Sequence, residues 1–75
     1  MPVEDGRQSL GVLARPDQTV NVVLVSLTDG VEIEVYGDGR LRRRLRFMRD
    51  TAARKYADRL VTRLARRGFL AAEIS

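Results

Sequence analysis

The chain has 75 residues, a net charge of +4 and neither cysteine nor histidine. That length supports one small core of marginal stability. Without thiol or imidazole there is no disulfide staple, no thiolate chemistry and none of the commonest general base or metal ligand, so the expectation is a protein that is not an enzyme and carries no cofactor and no metal.

Residues 1–18 hold Pro2, Gly6, Gly11 and Pro16 among polar residues and read as a loosely ordered arm. Within it Ser9–Ala14, "SLGVLA", can form a short edge strand or cover one side of a sheet. Neither a long apolar run nor a basic leader occurs there, so a soluble, cytoplasmic protein without membrane contact is expected. Residues 19–75 read as a single small domain. Its first element, Thr19–Leu27, is apolar and β-branched at nearly every position, the pattern of a strand covered on both faces. Asp29-Gly30 then signals a hairpin.

Val31–Tyr36 alternates cleanly, with Val31, Ile33 and Val35 on one face and Glu32, Glu34 and Tyr36 on the other. The arginine-rich run Arg40–Met48 follows. A two-residue Asp38-Gly39 turn would set Val35 against Arg42 and Ile33 against Arg44, so a three-residue Gly37-Asp38-Gly39 loop is expected instead. It pairs Val35 with Leu41, Glu34 with Arg42, Ile33 with Arg43, Glu32 with Arg44 and Val31 with Leu45. Arg42 and Arg44 are then neutralised, while Arg40, Arg43 and Arg46 stay free.

The stretch from Asp50 to Arg67 is a helix by its periodicity, with Asp50 or Thr51 as its N-terminal cap and Gly68 ending it. Ala53, Tyr56, Ala57, Leu60, Val61 and Leu64 form its apolar stripe. Arg54, Lys55, Arg59, Thr62, Arg63, Arg66 and Arg67 lie opposite. The terminal "AAEIS" adds a short strand or frays. The fold class expected is therefore α+β: a three-stranded antiparallel meander at about residues 19–27, 31–36 and 40–48, then one amphipathic helix at about 50–67 on one sheet face.

Charge is segregated along the chain. Residues 40–67 hold twelve of the fourteen basic residues against Asp50 and Asp58, a local net of +10. Thirteen of the fourteen are arginine, the cation best suited to planar contact with phosphate. These features point to a small nucleic-acid-binding protein, with DNA or RNA as the partner and phosphate as the main contact. The binding candidates are Arg40, Arg42, Arg43, Arg44 and Arg46 on the strand and Arg59, Arg63, Arg66 and Arg67 on the helix, with Tyr36 as a stacking surface. Cross-strand pairing and helix-end placement are the structural explanations to weigh against them. A second reading is an interaction module, such as a small phage or mobile-element inhibitor docking its basic face on an acidic host protein. A third is a homodimer or homo-oligomeric subunit joined through Val22, Val23, Leu24 and Val25 of the apolar strand. "GDG" lacks the lysine and hydroxyl of a phosphate loop, and the carboxylates are too dispersed for a metal site.

The order of strand, strand ending "VYGDGR", arginine-rich strand and "AARKYADRLVTRLARRGFL" resembles the WGR domain, across roughly residues 20–70. That domain occurs in poly(ADP-ribose) polymerases and bacterial proteins, where it contacts nucleic acid. Tyr36-Gly37 and the closing "LARRGF" carry the likeness, although Tyr36 stands in place of tryptophan and Asp38 in place of arginine. The order also looks like the sheet-plus-helix DNA-binding domains of phage-type integrases. Both resemblances imply nucleic-acid contact.

Overall fold

Four long strands and one helix account for nearly all of residues 4–72, which the computed structural model describes. They are β1 (Glu4–Arg15), β2 (Gln18–Leu27), β3 (Gly30–Gly37), β4 (Arg40–Phe47) and α1 (Asp50–Arg66), with a two-residue β5 (Leu70–Ala71). The strands make one antiparallel sheet in the order β4-β3-β2-β1-β5. The class is α+β as expected, but the sheet is not a three-stranded meander. What reads as a loosely ordered arm is strand β1, longer than any other.

The reason is tertiary. Arg15 pairs with Gln18, so Pro16 and Asp17 close a two-residue hairpin in which proline presets the backbone angle of the turn. Register shifts at Glu4/Gly6 and Ser9/Gly11 let the strand pass its glycines without losing β2. Glycine at position 11 also suits its place beneath α1, where a Cβ would lie 3.8 Å from Val61 Cγ2. Between β2 and β3, Leu27 pairs with Gly30, so the turn residues are Thr28 and Asp29 rather than Asp29 and Gly30. Gly30 instead opens β3 at a φ of +157°, with an added Cβ only 2.8 Å from the Phe47 carbonyl oxygen. Gly30→Ala should therefore destabilise the fold by about 2 kcal/mol. Gly6→Ala, which meets nothing within 4 Å, should change it far less. A thermal melt of the two variants checks this.

The β3–β4 turn departs from the expected three-residue loop, and the departure rearranges the arginines. Gly37 pairs with Arg40, leaving Asp38 and Gly39 as the two turn residues, both at positive φ (52° and 82°) as a hairpin of this twist requires. Asp38 anchors the turn: its N–H donates to the Thr19 carbonyl and its Oδ1 accepts from the Thr19 N–H, both at 2.9 Å. Continued unbroken, this register would set Ile33 against Arg44. A bulge at Arg42 inserts one residue instead, and the pairs become Val35–Arg43, Glu34–Arg44, Ile33–Leu45, Glu32–Arg46 and Val31–Phe47. Apolar again meets apolar where burial is deepest, since Ile33 is fully buried.

Helix α1 begins after Arg49, whose backbone is extended, and neither Asp50 nor Thr51 caps it. Asp50 lies in the first turn and accepts from Arg54 Nε at 2.6 Å. The C-terminus follows expectation. Gly68 takes a left-handed φ of +92°, while its N–H donates to Ala65 and that of Phe69 to Leu64, at 3.1 Å each. The short β5 then pairs with Leu13 and Ala14 of β1. Residues 73–75, the rest of the expected short terminal strand, lie outside the described residues. Every member of the predicted apolar stripe is buried or half-buried. Ala53 and Ala57 meet Val22, Leu24, Val31 and Ile33 in the core, and Phe47, Tyr56, Leu60 and Val61 pack against it.

Candidate polyanion-binding surface

The bulge at Arg42 sorts the β4 arginines onto two faces. Arg44 and Arg46 stand opposite Glu34 and Glu32, on the face that α1 does not cover. Arg43 stands opposite Val35 and Arg40 opposite Gly37, on the helix side. Arg42, the inserted residue, lies over Gly37, its side chain 3.1 Å from where a Cβ would be. The expected pairing of Glu34 with Arg42 and Glu32 with Arg44 is thus corrected to Glu34 with Arg44 and Glu32 with Arg46. Leu41, not an arginine, accompanies Tyr36 on the uncovered face and is 42% exposed.

The uncovered face neutralises itself. Glu34 is a buried carboxylate, 2% exposed, lying between Arg7 and Arg44. Its Oε1 accepts from Arg7 and from the Tyr36 hydroxyl, both at 2.7 Å, and its Oε2 lies 3.4 Å from Arg44. Burial works against the charge. The hydrogen bonds from Tyr36 and Arg7, with the charges of Arg7 and Arg44, outweigh it and hold the carboxyl below its ordinary value of 4.5. Arg44 also lies 3.6 Å from Glu32, and Arg46 pairs with Asp29. Arg46, expected to be free, is therefore engaged; Arg42, expected to pair with Glu34, has no acidic partner among the described residues. Sequence reasoning missed Arg7. It is 27 residues from Glu34 and reaches it across β2, so nothing local marks the contact.

The helix side gathers the unpaired cations. One flank of α1 looks toward β1: Arg54 donates to Gln8 at 3.1 Å, and Val61 sits beside Gly11. The other flank looks toward β4, where Tyr56 packs on Phe47 with ring centroids 5.6 Å apart and the planes tilted by 41°. Arg63 follows Tyr56 by seven residues and lies near its flank, while Arg59 and Arg66 turn further toward the outer face of the helix, with Asp58 and Thr62. A shallow recess of about 420 Å³ is lined by Asp58, Arg59, Thr62, Arg63 and Arg66. The basic residues thus form two groups, Arg40, Arg42 and Arg43 on the edge strand β4 and Arg59, Arg63 and Arg66 around the helix recess. All six are exposed, and none has an acidic partner among the described residues. Arg67 caps the helix beyond them, its carbonyl accepting from Arg15 at 3.3 Å.

The remaining candidates fall elsewhere. Val22 and Leu24 belong to the core under α1. Val23 and Val25 face the uncovered side but are themselves buried, with Ser9 and Glu34 beside the first and Arg7 and Glu32 beside the second. Among the described residues, no cluster of acids could hold a metal ion.

Two structural explanations bear on the basic residues. Strand β4 is a sheet edge, and arginines there discourage edge-to-edge pairing with another chain. Cations in the last turn of α1, Arg63 and Arg66, also complement the helix dipole. Compared with protein-family models, curated proteins and solved structures, the chain matches none, so its likeness to the WGR domain rests on the quoted residues alone.

Proposed function

We propose that this is a cytoplasmic, non-enzymatic nucleic-acid-binding protein whose phosphate contacts come from β4 and α1. The observation that carries this reading is the sorting of cations: five of the fourteen basic residues have partners within the fold (Arg7, Arg15, Arg44, Arg46 and Arg54), and the unpaired ones include the six just described. Unpaired guanidinium groups are the ones free to meet a phosphate without first breaking an ion pair. Arginine suits phosphate by its planar, multidentate donors. Contacts made mostly to phosphate carry little sequence preference and release counterions.

Binding should accordingly weaken steeply with salt. If most of the six engage, the logarithm of affinity should fall with the logarithm of salt at a slope of roughly −4 to −5. Fluorescence anisotropy with labelled DNA and RNA at several salt concentrations measures the slope. Absence of binding near about 50 mM salt would overturn the proposal. An acidic protein partner is the second reading, and the same unpaired arginines favour it. It predicts capture of a specific acidic protein with no affinity for nucleic acid.

A further inference from the structure

The uncovered face of the sheet holds a groove of about 520 Å³, lined by Arg7, Ser9, Val12, Thr19, Asn21, Val23, Tyr36 and Gly39. This is within the size range of small-ligand sites. Strand pairing sets Val12, Asn21, Tyr36 and Leu41 in one row across the sheet, with Ser9, Val23 and Glu34 in the next. Its floor is mixed, with Val12 and Val23 as the apolar part, Ser9 and Asn21 between them and the Tyr36 ring beside them. The Tyr36 hydroxyl is tied to the buried Glu34, which holds that ring in place rather than letting it swing into solvent. Ser9 Oγ donates to Asn21 Oδ1 at 2.9 Å, and this pairing leaves the two amide hydrogens of Asn21 without a partner among the described residues. Two valines, a fixed ring and an adjoining amide match what recognises the face and edge of an unpaired base.

The groove also meets the cationic side. Gly39 forms part of its rim and has open space around it, and the next residue is Arg40. We infer that the groove takes one unstacked nucleobase of a single-stranded nucleic acid, whose backbone then passes around the β3–β4 turn onto Arg40, Arg42 and Arg43. A flexible single strand can make that turn; a paired duplex offers no free base to the groove. This inference rests on the proposed function and adds its ligand class.

The protein has two tyrosines and no tryptophan, so in a Tyr56→Phe variant Tyr36 alone supplies tyrosine emission. That variant is titrated with a short oligothymidylate and with an abasic strand of equal length and charge. The base-bearing strand should bind about tenfold more tightly and quench the emission, and Asn21→Ala should narrow the gap between the strands. Equal affinities with unquenched emission would overturn the base site while leaving phosphate binding in place. Failure of both strands to bind near about 50 mM salt would overturn the proposed function as well.

Discussion

Replacing Arg43 and Arg63 together by glutamine should lower affinity for nucleic acid by about thirtyfold, taking roughly 1 kcal/mol for each lost phosphate contact. It should also reduce the salt slope by about two. Replacing Arg44 and Arg46 instead removes the same formal charge and should change affinity by less than about threefold, because guanidinium groups held by acids on the uncovered face make no direct phosphate contact and their long-range effect is screened beyond a Debye length. Arg44 is committed to Glu32 and Glu34, and Arg46 to Asp29. The comparison distinguishes a defined surface from a general attraction by net charge. If the two double variants weaken binding equally, the division of arginines into paired and unpaired sets has no functional meaning. Circular dichroism would confirm that both remain folded.

Replacing Glu34 by glutamine should cost about 2 kcal/mol of stability at neutral pH, since charge-assisted hydrogen bonds from Arg7 and Tyr36 are lost or weakened at a buried site. Half-exposed Arg7 and Arg44 can recover water, which keeps the loss below that of a wholly buried pair. The pH dependence has a definite sign. The Glu34 carboxyl titrates lower in the folded protein than in the unfolded chain, so its stabilisation is complete above the ordinary value of 4.5 and is lost as pH falls through the folded value. The gap between wild type and Glu34→Gln should hence be constant from about pH 6 to 8 and narrow as pH falls below 4.5. Urea unfolding at a series of pH values measures it. A gap independent of pH would mean that Glu34 contributes packing rather than charge.

These two predictions draw on different parts of the sequence. The helix was legible because its cue is local: an apolar stripe at helical spacing, with Gly68 as the left-handed stop. The strand Thr19–Leu27 was legible too, although α1 covers it on one face only; on the other, Val23 and Val25 are buried among the side chains of the neighbouring strands. The cap at Asp50 or Thr51 was not borne out. Arg49 takes the extended position there, and the Asp50 carboxylate binds Arg54 instead.

The β3–β4 hairpin shows where local reasoning stops. Two devices can match apolar to apolar across it, a longer loop or a short turn followed by a bulge. They differ in which arginine each glutamate meets. Choosing between them depends on Asp38 bonding Thr19 and on Ile33 needing Leu45 beneath α1, contacts that span the fold.

The sequence by itself determined the α+β class, the helix and its buried stripe, and the concentration of arginine between residues 40 and 67, because each follows from neighbours along the chain. Only the tertiary structure decided that residues 4–15 form a strand, that Arg7 reaches Glu34, and that Arg42 rather than Arg46 is left unpaired. The physical reason is the same in all three. An edge segment with glycines has too little local preference to declare itself, and an ion pair across a sheet depends on register, which packing of the whole core sets.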